Sequence, residues 1–358
     1  MKKFILLGLL AAVLSAISLP LGADSPAKNY VIGFYNLENL FDTFDDPAKN
    51  DEEFLPEGKN KWTDAKYQKK LHNMASVIGT MAKENGTFHT ILGVSEIENR
   101  LVLEDLVSQP EIAEASYQIV HYDSPDARGV DVGLLYRPDQ FTYLDSESIP
   151  FTFDSDIDFS MDDDEQESFK TRDILMVHGR IDGEDFAIYV AHLPSRIGGK
   201  GGDLRSRGAE IIYSHAMDMM EKHPGIKIVV MGDMNDNPTD TSMSVYLHGK
   251  EDPSEVGRDD FFSPFFSMLK KGYGSIAYRG EWSIYDIIMV NETLLNAPEG
   301  GLKIRQTGKK GNYGVVFKRP FMVTKDGQYK GYPFRTFSSG SFIGGYSDHF
   351  PTFIVIGK

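Results

Sequence analysis

Short apolar runs, separated by polar segments rich in glycine and proline, recur along the chain from residue 30 onward. Runs of strand length that are rich in β-branched and aromatic residues predict a series of buried or half-buried strands. The Asp182-Gly183 pair predicts a tight hairpin between two of them. The predicted strands occupy Tyr30–Tyr35, His89–Val94, Tyr117–His121, Val130–Tyr136, Ile174–Ile181, Asp185–Ala191, Ile228–Met231, Ile284–Val290 and a closing run that ends at Ile356.

Two segments carry apolar residues at spacings of three and four, which predicts amphipathic helices over about Asp64–Met81 and Leu204–Lys222. The segment Asp154–Glu167 predicts a solvated loop, and Asp240–Tyr273 lacks a clear period. Strands and helices alternate early and strands dominate later, without a long linker. The pattern therefore predicts one α/β domain over residues 25–358, a two-layer β-sandwich flanked by helices.

Residues 1–23 have the form of a secretory signal peptide, with two lysines, an apolar stretch of about 15 residues and small residues before Asp24. Ser15, Ser18 and Pro20 interrupt the apolar stretch, which disfavours a membrane-spanning helix. The chain has no cysteine, so disulfides and thiol chemistry are excluded. We expect an exported protein, and the sequence leaves periplasm and extracellular medium open.

Charge narrows the possible partners. The chain carries 37 Lys and Arg against 53 Asp and Glu, a net charge of −16, which disfavours tight binding to duplex nucleic acid irrespective of its sequence. The distribution is uneven, since Asp154–Glu167 is strongly acidic and Lys303–Phe337 is basic with interleaved aromatic residues. The basic segment predicts contact with a nucleic-acid backbone and bases, although a packed β excursion would look similar.

The run IVVMGDMNDNP, Ile228–Pro238, combines a predicted buried strand with a polar stop. Asp233 and Asn235 follow the strand at a spacing of two, so their short side chains can converge on one site. A carboxylate beside an amide suits Mg²⁺ or Mn²⁺ and a phosphate oxygen better than Zn²⁺. An Asx-rich turn is the alternative for this stretch taken alone.

Polar residues also follow the other predicted strands. Glu96 is the better candidate for a metal-site carboxylate after the second strand, with Glu98 as the fallback. Arg128 predicts a contact with phosphate or, alternatively, a pair with Asp131. The remaining candidates at or near strand ends are Asn36, His192, Asp286, Asp348 and His349.

Taken in order, these residues resemble the endonuclease/exonuclease/phosphatase superfamily, with its deoxyribonuclease I-like fold. The resemblance rests on an Asn in YNLEN, a Glu in SEIEN, a His in AHLPS, the GDMNDNP block, a Tyr-Asp before an apolar strand and the closing SDHFP. It spans nearly all of the predicted mature chain. It implies a deoxyribonuclease I-like four-layer α/β sandwich and a single catalytic domain over residues 25–358.

The resemblance also implies a divalent metal site. Glu96 would be the principal ligand, Asn36 would lie close by, and Asp348 would contribute on the metal side. Mg²⁺ or Mn²⁺ is the expected ion, and Ca²⁺ is possible chemically because the donors are oxygen atoms.

The same resemblance implies catalytic roles for the other residues. Asp233 would orient or deprotonate the attacking water, and Asn235 would hold the phosphate or the nucleophile. His192 would donate to the phosphate or the leaving group. His349 would contact the scissile phosphate, with Asp286 fixing its tautomer and keeping it protonated.

The superfamily's fold does not choose the substrate. We expect a secreted endonuclease that cleaves nucleic acid, DNA rather than RNA, and no stable protein partner. The alternative is a phosphomonoesterase or lipid phosphodiesterase acting on an inositol phosphate or sphingomyelin, with Phe261–Phe266 as a loop that touches the membrane. A catalytically inactive binding protein is a third reading, which the complete set of site residues argues against.

Overall fold

The computed structural model describes residues 28–196, 201–307 and 311–358. The predicted signal peptide, residues 1–23, lies outside the described residues, as do Lys309 and Lys310 of the basic segment. Within the described part of the chain, no helix has both the length and the apolar character that crossing a membrane requires.

The described strands, numbered in chain order, are β1 Asn29–Leu40, β2 Ile91–Ile97, β3 Gln118–His121, β4 Asp131–Tyr136, β5 Phe141–Ile149, β6 Ile174–Ile181, β7 Glu184–His192, β8 Lys227–Asp233, β9 Gly249–Lys250, β10 Phe261–Phe262, β11 Ile276–Tyr278, β12 Glu281–Ser283, β13 Asp286–Asn291, β14 Lys303–Arg305, β15 Gly314–Val316, β16 Phe337–Ser338, β17 Ser341–Phe342 and β18 Thr352–Gly357. The α-helices are α1 Asp64–Asn85, α2 Arg100–Val107, α3 Asp163–Ser168, α4 Gly202–Lys222, α5 Phe265–Lys270 and α6 Glu292–Leu295. A π-helix covers Ser242–Tyr246, and short 3₁₀ helices cover Glu52–Phe54, Ala113–Ala115, Pro253–Glu255 and Pro320–Met322.

Two mixed sheets form the centre of the molecule. The first has the order β14-β18-β1-β2-β4-β3, with β15 also pairing β18, and the second has the order β5-β6-β7-β8-β13-β10-β9. The predicted hairpin forms between β6 and β7, where Asp182 and Gly183 adopt positive φ angles of 51° and 81°. Parallel pairs, β1 with β2 and β7 with β8, lie at the centre of each sheet.

The alternation of side chains along β1 explains how the layers stack. Ile32 and Phe34 belong to the core shared with the second sheet, whereas Val31 and Tyr35 belong to a second core with α1 and α2. On the other side, α4 packs Ile212 and neighbouring apolar residues into the core of the second sheet. The predicted two-layer β-sandwich flanked by helices is therefore confirmed.

The two sheets approach closely just beneath the polar residues of interest. A Cβ added to Gly93 of β2 would lie 2.6 Å from the sulfur of Met231 in β8. A side chain at position 93 would therefore require the Met231 side chain to move. Because Glu96 and Asp233 follow these two residues along their strands, the close approach brings carboxylates from different sheets together.

Several elements differ from the sequence-based expectation in length or type. β1 runs on to Leu40, although its regular pairing with β2 is interrupted after Asn36. A short helix, α3, lies within the acidic segment predicted as a loop, because Asp162 and Glu165 form a reciprocal capping box. The segment Asp240–Tyr273 contains the π-helix, α5 and two short strands.

The aromatic cluster Phe261–Phe266 does not form a membrane-touching loop. The rings of Phe261, Phe262, Phe265 and Phe266 are all buried. Phe261 and Phe262 form β10, which pairs with β13, and Phe265 and Phe266 begin α5; Phe261, Phe262 and Phe265 belong to the core of the second sheet. The reading that made these residues a membrane contact is therefore wrong.

Candidate active site

Three neighbouring strands of the second sheet place three polar side chains in one row. The pairing registers set His192 of β7 opposite Asp233 of β8, and Asp286 of β13 opposite Asp233 from the other side. All three residues are buried. Residues in register on adjacent strands point to the same face of a sheet, so this row forms one wall of a site.

The first sheet supplies the opposite wall through Asn36 and Glu96. Asn36 is in register with Ser95, and Glu96 has a positive φ of 57°, which breaks the regular pairing at that point. The Asn36 amide nitrogen donates to Glu96 Oε1 at 3.2 Å and to Asp233 Oδ2 at 2.9 Å. One amide therefore holds two carboxylates from different sheets.

The segment before β18 closes the site. Ser347 Oγ donates to the backbone oxygen of Asn36 at 2.7 Å and accepts from the N–H of His349 at 3.0 Å. The His349 ring lies with Nδ1 at 2.7 Å from Asp286 Oδ2 and Nε2 at 3.7 Å from Asp233 Oδ2. Asp286, predicted from the resemblance as the partner of His349, is thus paired with it.

The residues that fit a metal ion are Glu96, His192 and Asp233, whose ligand atoms all lie within 4.8 Å of one another. His192 Nε2 lies 3.9 Å from Glu96 Oε1 and 3.8 Å from Asp233 Oδ2. Two carboxylates and one imidazole suit Mn²⁺ well and Mg²⁺ through the carboxylates.

Two residues predicted on the metal side occupy different positions from these three. Asp348 is bound by Arg335, whose Nη2 donates to Asp348 Oδ2 at 2.8 Å, so this carboxylate stands outside the compact ligand group. The Asn36 side-chain oxygen Oδ1 accepts from the N–H of Glu38 at 2.8 Å, and the side-chain nitrogen faces the ligands. A direct bond from either residue to the metal stays a prediction.

The two histidines have opposite proton affinities. Burial lowers the pKa of His192 well below its ordinary value, and the positive charges of Arg172, Arg128 and His349 lower it further. Burial also lowers the pKa of His349, but the carboxylates of Asp286 and Asp233 outweigh it and hold that pKa well above the ordinary value. At neutral pH the site therefore contains a neutral His192 and a protonated His349.

Asp233 has a carboxyl group with unusually high proton affinity for an aspartate. The pKa of Asp233 is raised to about 6, and burial is the main cause. The positive charge of His349 acts to lower this pKa, and the carboxylates of Asp286 and Glu96 act to raise it. A divalent cation nearby would favour the charged form. Asn235 follows with a positive φ of 51°; its N–H donates to Asp233 Oδ1 and its side chain donates to the Leu193 carbonyl, both at 3.0 Å.

These groups line a cleft of about 810 Å³. Its rim carries the exposed side chains of Arg128, Lys170 and Arg196, whereas the four carboxylates of its lining, Glu96, Asp126, Asp233 and Asp348, are less exposed. Arg128 does not pair with Asp131, the alternative considered from the sequence, because Arg128 Nε lies 3.7 Å from Asp126 instead. More than half of the Arg128 side chain is exposed toward the cleft, as a phosphate contact requires.

Sequence reasoning missed Arg172, a buried arginine of the cleft. It donates to Asp126 Oδ2 at 3.2 Å and to the backbone oxygens of His192 and Leu193 at 3.2 and 3.1 Å. The sequence gave little indication of a role for Arg172, because it is a single basic residue just before a predicted strand. Its contacts fix the end of β7, where His192 stands.

A second missed group links the site to α1. The buried Glu38 carboxylate accepts from Arg335 Nε at 3.1 Å and from the N–H of Thr336 at 2.7 Å. The buried Lys70 ammonium lies 3.7 Å from Glu38 and donates to the Tyr346 backbone oxygen at 2.7 Å. A lysine within an amphipathic helix gives no local signal that it will be buried.

The basic segment Lys303–Phe337 is partly packed and partly open, and its contact with nucleic acid stays a prediction. Part of it packs against the body, with Lys318 Nζ 4.2 Å from the centre of the Trp282 ring and Arg319 paired with Glu84. Another part lines an open cavity next to the cleft, described below.

The arrangement of these strand-end residues agrees with the family comparison. The sequence profile of the Endonuclease/Exonuclease/phosphatase family matches residues 31–358. The chain belongs to this family. Its members hydrolyse phosphate esters and depend on divalent metal ions, which the acidic and histidine residues of the cleft can hold. No curated protein matches the sequence.

Solved structures share the fold at low sequence identity. An endonuclease/exonuclease/phosphatase family protein from Bacteroides thetaiotaomicron has 15% identity and a TM-score of 0.55, over 92% of this chain and 98% of that one. A mannosyl-6-phosphatase from the same organism has 15% identity and a TM-score of 0.54, over 91% and 99%. TDP2 from D. rerio, in complex with a single-strand DNA product, has 12% identity and a TM-score of 0.51, over 92% and 99%. At these identities the likeness establishes the fold.

Proposed function

We propose that the protein is an exported, divalent-metal-dependent phosphodiesterase that cleaves nucleic acid as an endonuclease, DNA in preference to RNA. One observation carries the proposal: His349, paired with Asp286, lines the same cleft as the carboxylates of Glu96 and Asp233, and the exposed charged residues of that cleft are basic. A phosphodiester in this cleft can direct its negative oxygens toward His349 and toward a metal ion held by the carboxylates.

Different residues of the cleft would have different roles in the hydrolysis of a phosphodiester. Glu96 and Asp233, held by Asn36, would bind Mg²⁺ or Mn²⁺, which as a Lewis acid polarises a phosphoryl oxygen and lowers the pKa of bound water. His349 carries a proton on both ring nitrogens; Nδ1–H faces Asp286, and Nε2–H is free to stabilise the charge that develops on the phosphate. Neutral His192 and the Asn235 amide complete the polar surface around the phosphate.

The preference for nucleic acid rests on the basic rim and on the aromatic cavity beside the cleft. The net charge of −16 does not oppose it, because Arg128, Lys170 and Arg196 give the cleft a positive entrance. The D. rerio TDP2 structure with a single-strand DNA product supports the same substrate class on this fold.

A phosphomonoesterase is the second candidate, since the same site can act on a terminal phosphate. The Bacteroides mannosyl-6-phosphatase supports a sugar phosphate as its substrate class. Sphingomyelin loses its support, because the phenylalanines proposed as a membrane contact are buried.

Hydrolysis assays on the mature protein test the proposal. Supercoiled plasmid, a linear RNA, mannose 6-phosphate and an inositol phosphate are incubated with Mg²⁺, Mn²⁺ or EDTA. We expect metal-dependent nicking of the plasmid that His349→Ala and Asp233→Asn abolish, while Asp163→Asn on the exposed helix α3 retains it. Phosphate release from the small substrates with an intact plasmid would establish the second candidate instead.

The export proposal has a separate test. Expression of the full chain followed by cell fractionation should yield a protein that begins after Ala23 outside the cytoplasm. An intact Met1 terminus in the cytoplasmic fraction would contradict it.

A further inference from the structure

A second cavity adjoins the active-site cleft. It has a volume of about 830 Å³, and Tyr278 and Asp348 line both it and the cleft. Its walls come from the β11–β12 hairpin on one side and from residues 324–343 on the other. A chain that places a phosphate in the cleft can therefore place its next group in this cavity.

Four of the residues that line this cavity are aromatic: Tyr278, Tyr329, Tyr332 and Phe337. The Tyr278 side chain is 68% exposed and that of Tyr329 is 46% exposed, so both rings present a free face. Tyr332 fixes the walls, because its hydroxyl accepts from the N–H of Gly280 at 2.6 Å and its ring packs against Trp282. Single exposed aromatics are ordinary on a protein surface, but rings that converge on one cavity beside an active site mark a binding surface.

The charged groups of the cavity are cationic or neutralised. The Arg279 guanidinium lies 5.1 Å from the centre of the Tyr278 ring. Arg335 reaches the cavity while it binds Asp348, the carboxylate among the lining residues that the structure describes. Flat aromatic faces together with guanidinium groups suit an electron-rich planar ring joined to a phosphate.

We propose that this cavity is a nucleobase subsite, which binds the base of the nucleotide next to the scissile phosphate by stacking on Tyr278 and Tyr329. The inference rests on the proposed nuclease function and identifies the part of the substrate that binds in the neighbouring cavity. Stacking accepts every base, so the subsite raises activity on nucleic acid with little preference for sequence.

Other occupants fit the cavity less well. A sugar would find the Gln328 amide among the lining residues, but its neutral hydroxyl groups would leave the guanidinium groups of Arg279 and Arg335 without the electron-rich partner that they favour. An acyl chain would have to share the cavity with Arg279 and Arg335, whose charges it cannot satisfy.

The test uses single-stranded oligonucleotides in which one linkage is a phosphodiester and the others are uncharged methylphosphonates. The two nucleotides that flank this linkage carry either bases or abasic tetrahydrofuran sugars. We measure kcat/KM for both substrates with the wild type, with Tyr278→Ala and Tyr329→Ala, and with the conservative variants Tyr278→Phe and Tyr329→Phe. Phe44→Ala is the control, because Phe44 is 71% exposed and lines neither cavity.

We expect the wild type, both Phe variants and the control to cleave the base-containing substrate about tenfold faster than the abasic one. The two Ala variants should cleave both substrates at the abasic rate. A wild type that cleaves the two substrates equally, or Ala variants that keep the difference, would overturn the subsite while leaving the nuclease function intact. A wild type that cleaves neither substrate but releases phosphate from mannose 6-phosphate would reject both proposals.

Discussion

His192 and His349 show how position sets the chemistry of one residue type. Both are buried and line the same cleft, yet the pKa of His192 lies well below the ordinary value and that of His349 lies well above it. The sequence placed both at strand ends. Only the family resemblance predicted that Asp286 is the partner of His349. Nothing in the sequence predicted that Arg172 lies beside His192. In both cases the two residues are separated along the chain, so local patterns do not connect them.

The protonation of His349 predicts a specific change in the pH profile of activity. The Asp286 carboxylate raises the pKa of His349, so the fall in kcat/KM as pH rises through that pKa should move to lower pH in Asp286→Asn. The rate at pH 8 should fall about 10²-fold, the lower end of what a positioned acid contributes. The control is Asp145→Asn, which removes the carboxylate from a remote histidine, His178. An unchanged alkaline limb in Asp286→Asn would contradict the role of His349.

A second residue predicts a pH dependence of stability. The pKa of Glu98 is raised to about 8, and burial is the main cause. The Asp42 N–H, which donates to Glu98, acts to lower this pKa, and the carboxylates of Asp42 and Asp51 act to raise it. In the unfolded chain this carboxyl ionises near pH 4.5. Its contribution to stability is therefore complete below that pH and is lost as pH rises through about 8.

Glu98→Gln removes this titration, because an amide does not ionise. We expect the melting temperature of the variant, relative to the wild type, to be higher at pH 9 than at pH 5. Thermal unfolding followed by circular dichroism at both pH values measures the difference. Glu104→Gln, at an exposed position nearby, serves as the control. A difference that is the same at both pH values would show that Glu98 is ionised throughout.

At the scale of elements, local periodicity predicted helix α1 and its apolar face but not what else that face carries. Lys70 lies beside Leu71 on the buried side, where it contacts Glu38 of β1 and Thr336. Thr336 lies 266 residues further along the chain. No spacing within the helix indicates so distant a partner, and a lysine in the pattern predicts a solvated position.

Lys70→Met should destabilise the fold, because it removes one of the two cations beside the buried Glu38 carboxylate. Arg335 still pairs with Glu38, so the loss should be about 2 kcal/mol, less than for a buried charge left without any partner. Chemical denaturation of the wild type and variant measures the free energy of unfolding. Lys69→Met, on the exposed side of the same helix, should have little effect.

The double variant Lys70→Met with Glu38→Gln separates lost charge pairing from lost packing. It leaves neither charge of the pair in the core, so it should recover part of the stability lost in Lys70→Met. Equal destabilisation of the single and double variants would indicate that the lysine acts through packing alone.

At the scale of the whole molecule, the order of polar strand ends predicted the fold better than periodicity predicted individual elements. The reason is topological, since the ends of β1, β2, β7, β8 and β13 meet at one edge of the two sheets. The pairing of the first strand with the last, Asn29 opposite Gly357, lay beyond local pattern. A pairing over such a distance is set by the packed core rather than by neighbouring residues.

Because Glu96 belongs to the first sheet and Asp233 to the second, an ion held by both should stabilise the whole domain. A ligand at 100 times its dissociation constant adds about 2.7 kcal/mol to the free energy of unfolding. We expect Mn²⁺ to raise the unfolding midpoint of the wild type relative to EDTA, and Glu96→Gln to remove most of this increase.

The matched control lies in the other group of potential ligands in the described chain, His121, Asp123 and Asp131. Asp123 is exposed, and Asp123→Asn should keep the full stabilisation by Mn²⁺. Suppose that Asp123→Asn loses the increase in the unfolding midpoint while Glu96→Gln retains it. The stabilising ion then binds to the group of His121, Asp123 and Asp131, and no metal in the cleft links the two sheets. If both variants retain it, neither group holds the ion. Loss in Glu96→Gln alone makes the metal site a structural link between the sheets as well as a reaction centre.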